Sequence, residues 1–210
     1  MTRVFVIGDS ISIQYGPYLE RFLAGRLHYA RKSGESEALA NLDVPQGANG
    51  GDSSMVLKYL RGLQQANALQ ADVLLINCGL HDIKTTPATG QKQVTLADYR
   101  RNLQEIIATA TQMGPELVWI TTTPCDEAVH NAPTREFHRF AADNDAYRAV
   151  ATELMTAAGV KMIDLYTFTT QLGPDLYCDH VHFHEPIRQM QAAYIAGWLI
   201  GRFGEPRGAR

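Results

Sequence analysis

The sequence predicts a three-layer α/β/α sandwich on a parallel, five-stranded sheet. Strand-like apolar runs alternate with helix-period segments along the chain, without internal repeats or low-complexity stretches. The segment Asp72–Asn77, DVLLIN, carries a continuous apolar run, as a parallel strand does when helices cover both of its faces. Such alternation requires right-handed crossovers that place helices on either side of the sheet.

Arg3–Ile7 is a short β-branched and aromatic run, a first strand, ended by the turn residues Gly8, Asp9 and Ser10. Tyr15–Leu27 carries Leu19, Phe22 and Leu23 at helical spacing, with Pro17 expected in its first turn. After the polar stretch Ser33–Asn41, Leu42–Val44 is a weak second strand and Pro45–Gly51 a glycine-rich loop. Asp52 or Ser53 caps a helix to about Asn67, with Val56, Tyr59, Leu60 and Leu63 on one face. DVLLIN follows as the central strand. Thr95 and Asp98 form a capping box, Val94 and Tyr99 a hydrophobic staple, and Leu103, Ile106 and Ala110 continue the helix face. Leu117–Thr121 is a fourth strand. Arg135–Ala157 is a long helix with Phe137, Phe140, Ala141, Tyr147, Ala151 and Leu154 inward. Val160–Asp164 is a fifth strand and Arg188–Phe203 a closing helix.

The 210 residues predict one domain with a core large enough to need neither disulfides nor a structural metal. A net charge of -3, with no long basic run, argues against a nucleic-acid partner. The longest apolar stretch, Ala192–Gly201, falls short of the ~18 to 20 residues of a membrane span, so no membrane partner is expected. The N-terminal run VFVI is too short for a signal-peptide core of roughly 7 to 15 residues, which predicts a cytoplasmic protein. Cys78, Cys125 and Cys178 are widely spaced and odd in number, and are expected as buried free thiols.

In open α/β sheets, ligands bind beyond the carboxyl ends of the strands. There the sequence gathers Ser10, His81, Asp82, Asp179, His180, His182 and His184. Ser10, in GDSIS, sits where a tight turn can lift its hydroxyl out of the sheet. An activated serine needs a base, and the base needs an orienting acceptor. Asp179-x-x-His182 supplies both, because a three-residue offset lets a carboxylate reach Nδ1 and leaves Nε2 for Ser10. Asp9 is expected to brace the nucleophile turn and Asp82 its own loop. Trp119, Trp198 and Asn144 are expected to pack or to bond neighbouring loops, and Cys125 to be a passive thiol.

Together these segments resemble the SGNH, or GDSL, hydrolases over nearly the whole chain. Gly8-Asp9-Ser10-Ile11 is similar to the first block of that family, Asn49-Gly50-Gly51-Asp52 to the second, and Asp179-His180-Val181-His182 to the last. The resemblance implies a flavodoxin-like sandwich and a serine esterase or acylhydrolase with the triad Ser10, His182 and Asp179, usually acting without metal or cofactor. It also implies that Gly51 donates its backbone N–H to the oxyanion. The third block departs: Gly79-Leu80-His81-Asp82 stands where the family has Gly-x-Asn-Asp. A histidine ring N–H can replace the asparagine donor, so the expected oxyanion hole is Ser10 N–H, Gly51 N–H and His81.

The implied substrate is a small-molecule ester with a small acyl group, such as acetyl, on a carbohydrate or other small alcohol. No long exposed apolar stretch suggests an interfacial lipase. Three other readings use the same residues: an acyltransferase with the same triad, a metal-dependent hydrolase built on His180, His182 and His184, and a non-catalytic binding module. His28, His130 and His138 lie in segments not predicted at strand ends, which weakens the metal reading. The loops Leu27–Ala48, Ile83–Thr95 and Thr122–Thr134, with polar residues such as His130, Asn131 and Arg135, must shape the acyl and alcohol pockets. Oligomeric state is not encoded in any recognisable motif.

Overall fold

The computed structural model describes residues 1–133 and 136–204. Five strands, β1 (Arg3–Ile7), β2 (His28–Arg31), β3 (Val73–Ile76), β4 (Glu116–Ile120) and β5 (Lys161–Ile163), form one sheet in the order β2-β1-β3-β4-β5. Every neighbouring pair is parallel. β3 is central and buried at all of its positions, which requires cover on both faces. Helices α1 (Ser10–Leu23), α7 (Leu165–Thr170) and α8 (Glu185–Phe203) pack as one set, and α3 (Ser53–Gln65), α4 (Leu96–Met113) and α6 (Ala141–Ala157) as another. The short helices α2 (Glu35–Ala40) and α5 (Glu127–Asn131) lie in the loops after β2 and β4. Among the described residues no helix is long and apolar enough to cross a membrane.

The expected α/β sandwich is therefore the observed one, with its second strand elsewhere. Leu42–Val44 lies in a loop, and the edge strand is His28–Arg31, whose residues alternate between exposed and half-buried. An edge strand with one wet face carries no apolar run to announce it. α1 begins at Ser10 rather than Tyr15, because Asp9 caps it directly out of β1. Pro17 consequently sits inside the helix, on its exposed side, and forgoes one intrahelical bond. The long helix starts at Ala141. Phe140 is an exposed residue before it, Phe137 lies in a loop, and Arg135 falls outside the described residues. Thr95 caps α4 as expected, accepting the Asp98 amide. α8 starts three residues earlier than Arg188, with Pro186 in its first turn.

The strand order reverses direction between β1 and β3, and their carboxyl ends open the crevice where doubly wound sheets bind ligands. Gly8 and Ser10 leave β1 there, and Asn77 to Asp82 leave β3. The loop before α3 is tied to the same point, since Gly50 N–H donates to the Gly8 carbonyl at 2.8 Å.

Candidate active site

Ser10 is the first residue of α1. Asp9 caps that helix, its Oδ1 accepting from Ile11 N–H at 3.1 Å and Ser12 N–H at 3.5 Å, while Ser12 Oγ donates to the Asp9 carbonyl at 2.6 Å. The Ser10 amide belongs to the first turn and has no intrahelical acceptor, so it is available at the positive end of the helix dipole.

His182 arrives from the loop between α7 and α8. Its main chain is pinned there by Cys178 N–H, which donates to the His182 carbonyl at 2.8 Å. His182 Nε2 lies 2.8 Å from Ser10 Oγ, and Nδ1 lies 2.8 Å from Asp179 Oδ2. The other carboxylate oxygen accepts the amides of Val181 at 2.8 Å and His182 at 2.7 Å. Partial burial pushes the Asp179 carboxyl up, but the His182 ring and these two amides outweigh it and hold the group well below the usual carboxylate range. An ionised Asp179 accepts only, which assigns the proton of neutral His182 to Nδ1 and leaves Nε2 to accept from the serine hydroxyl.

Gly51 precedes the Asp52 cap of α3 and has φ +70°; a Cβ there would lie 2.6 Å from Met55 Sδ and 2.8 Å from Pro45 Cβ. Its amide donates to Asn49 Oδ1 at 3.0 Å. His81 sits on the turn after β3 and is 4% exposed. Burial, reinforced by the charges of Lys84 and Arg139, holds its imidazole well below the usual value, so the ring is neutral and carries one N–H. Neither ring nitrogen has a hydrogen-bond partner among the described residues. The turn is fixed on several sides. Arg139 Nε donates to the Leu80 carbonyl at 2.6 Å, Tyr99 Oη donates to the Cys78 carbonyl at 3.1 Å, and the Asp82 carboxyl accepts Ser53 N–H at 2.9 and 3.1 Å. Asp82 thus ties its own loop to the start of α3 rather than bracing its loop alone.

The three alternating histidines do not form one ligand set, although the rings of His180 and His182 lie 6.0 Å apart. His184 is half-exposed, 3.7 Å from Asp175, and His180 Nε2 lies 3.1 Å from Asp43. Metal-ligand spacing is found instead in Asp179, His180 and His182, two of which spend their reachable atoms on the Ser10 chain. Sequence reasoning passed over Arg139, Lys84 and Asp43, and named His130 only as a polar residue of a pocket-shaping loop. His130 is buried, its Nδ1 lies 2.8 Å from His180 Nδ1, and burial with Arg139 and His180 pushes it down to about 3. These contacts join segments about fifty residues apart, which leaves no local spacing to read.

A cleft of about 1030 Å³ opens beside His180, lined by Asn41, Asp43, Lys84, Gln91, Gln93 and Phe137 among others. Cys125 is buried, its thiol pushed up to about 11 by burial, and it is a poor nucleophile. Cys78 is buried also, but Cys178 is exposed, contrary to expectation, because it lies on the loop that carries Asp179. Asn144 is buried and bonds Thr122 Oγ1 and the Thr123 carbonyl, as a loop-bracing amide.

A family model described as GDSL-like lipase/acylhydrolase matches residues 6–187. Among curated proteins, none matches the sequence. The solved structure of a lipase/acylhydrolase from Enterococcus faecalis superposes with a TM-score of 0.72 at 20% identity, covering 100% of both chains. A GDSL-like lipase from Bacteroides thetaiotaomicron superposes with a TM-score of 0.69 at 16% identity, covering 95% of this chain and 88% of the other.

Proposed function

The chain belongs to the GDSL-like lipase/acylhydrolase family and is an ester-hydrolysing enzyme, and from that premise we propose that it works through an acyl-enzyme on Ser10. One observation carries the reading: Asp179, His182 and Ser10 form an unbroken chain of two 2.8 Å contacts, directed at the first residue of a helix.

Ser10 Oγ attacks the ester carbonyl carbon as its proton passes to His182 Nε2, and Asp179 stabilises the imidazolium that forms. The carbonyl oxygen becomes an oxyanion held by the Ser10 amide and the His81 ring N–H. Gly51 contributes its amide to the extent that it turns from Asn49. Collapse breaks the bond between the carbonyl carbon and the alkoxy oxygen, and His182 returns its proton to the departing alcohol. Water then attacks the acyl-enzyme, gives a proton to His182, and releases the acid with Ser10 restored.

We assign small acyl groups, acetyl among them, to the donor side and a hydrophilic alcohol such as a carbohydrate to the leaving side. The amide side chains of Asn41, Gln91 and Gln93 along the open cleft support a polar leaving group. Fluorophosphonate labelling tests the reading. A stoichiometric adduct on the Ser10 peptide, absent from Ser10→Ala, is expected; a folded protein that takes up no label overturns it.

A further inference from the structure

Arg139 is 2% exposed and lacks a carboxylate partner among the described residues. Its Nε donates to the Leu80 carbonyl, and its Nη1 lies 3.5 Å from both ring nitrogens of His130, a marginal distance. Nη2 makes no hydrogen bond and is not among the fully enclosed unpaired atoms. Lys84, in the cleft wall, donates through Nζ to the main-chain carbonyl of Asp43 at 2.9 Å, which uses one of three donors and neutralises nothing. Both cations lie against the Phe137 ring, Lys84 at 4.1 Å and Arg139 at 5.0 Å from its centroid. Each is therefore half-buried or buried beside another cation, an arrangement that costs stability unless an opposite charge answers it.

Carboxylates bear on the two cations only through space, Asp43 and Asp9 on Arg139 and Asp43, Asp52 and Glu136 on Lys84, and among the described residues none forms an ion pair with either. Asp43 turns its carboxylate to His180, Lys92 is already paired with Asp143 at 3.1 Å, and Glu136 is exposed at the rim. The pair also flanks the reacting centre. Arg139 holds the residue before His81, and both charges bear on the His81 ring.

We propose that the ester cleaved at this site carries an anionic group, a carboxylate or a phosphate, which docks on Lys84 over the buried charge of Arg139. This inference rests on the esterase reading, and it makes the substrate an acid ester or a phosphorylated one rather than a neutral acylated alcohol. An anion there completes the unused donors of Lys84 and sets the ester carbonyl toward Ser10 and His81.

Two ester pairs, each an anionic ester and its neutral counterpart, test it: 4-nitrophenyl hydrogen glutarate against 4-nitrophenyl valerate, and acetylated glycerol phosphate against acetylated glycerol. The expected result is a kcat/KM preference of about tenfold or more for the anionic member of one pair, expressed mainly in KM. Which pair responds shows whether the anion is a carboxylate on the acyl side or a phosphate on the alcohol side. Lys84→Met should collapse the preference, and rising salt should weaken it. Thermal melting of Ser10→Ala with glutarate or inorganic phosphate reads the site without turnover, and the rise in Tm should vanish when Lys84→Met is added. Neutral esters cleaved as well as their anionic partners, with no anion-dependent rise in Tm, overturn the proposal. Loss of all ester cleavage with the melting shift intact would instead sink the esterase reading.

Discussion

The Gly51 amide is bonded to the side-chain carbonyl of Asn49 at 3.0 Å, so one of the three expected oxyanion donors is engaged inside its own loop. In the proposed mechanism the Ser10 amide and the neutral ring of His81 then bear more of the developing charge. His81→Ala should lower kcat by about 100- to 1000-fold with little change in KM, because the lost contact strengthens only in the transition state. His81→Asn should recover much of it by restoring an N–H donor. Steady-state kinetics on a nitrophenyl ester measure both, and a His81→Ala enzyme within threefold of the parent would remove His81 from the oxyanion hole.

Asp82 gives the protein a stability that falls with pH. Burial pushes its carboxyl up to about 8, against the bonds from Ser53. Above the ordinary carboxylate value the unfolded chain has released this proton, while the folded chain keeps it until about pH 8. The folded state then binds more protons, so this contribution is full at low pH and declines as pH rises through the interval, by up to about 1.4 kcal/mol per pH unit. Asp82→Asn should flatten that slope. Urea titrations at several pH values between 5 and 8 would detect the difference, and parallel curves for the two proteins would show that Asp82 is ionised throughout.

The Ser10, His182 and Asp179 arrangement was legible because its residues lie in two short local patterns, GDS at a strand end and DxxH in a turn. β1, β3 and β4 were legible because buried strands are apolar runs, and β5, the other edge, because Met162 and Ile163 keep a short apolar run, whereas β2 was hidden by its wet, charged edge. Between β4 and α6 the sequence pattern failed for a different reason. Phe137 and Phe140 have helical spacing with the residues that follow, yet Arg139 is drawn away to the Leu80 carbonyl and Asn131 clasps the Arg139 main chain on both sides. Those tertiary bonds override the local period. The engagement of Gly51 by Asn49 was equally invisible, since it depends on a side-chain rotamer.

Asp9 ties Ser10 to its helix through the amides of Ile11 and Ser12. Asp9→Ala removes a buried cap and should destabilise the protein by about 1 to 2 kcal/mol, roughly 2 to 8 °C in Tm for a chain of this size. Because Ser10 is the next residue, kcat should fall as well. Asp9→Asn keeps an accepting oxygen and should retain most of the Tm. An unchanged melting temperature in Asp9→Ala would show that the turn is held by Ser12 Oγ and the Gly8 contacts alone.

Gly79 has φ +148°, and a Cβ placed there would fall 2.4 Å from Thr122 Cγ2. Gly79→Ala therefore meets two separate penalties, a backbone angle that L residues avoid and a collision across the β3 and β4 ends. Either moves the turn that carries His81, so the variant should lose at least about 2 kcal/mol of stability and much of its kcat. Adding Thr122→Ser deletes the colliding methyl and keeps the hydroxyl that donates to Asn144 Oδ1. The double variant should regain the part of Tm due to the collision and none of the part due to φ. Full recovery in the double variant would place the whole constraint in the methyl contact, and no recovery would place it in the backbone.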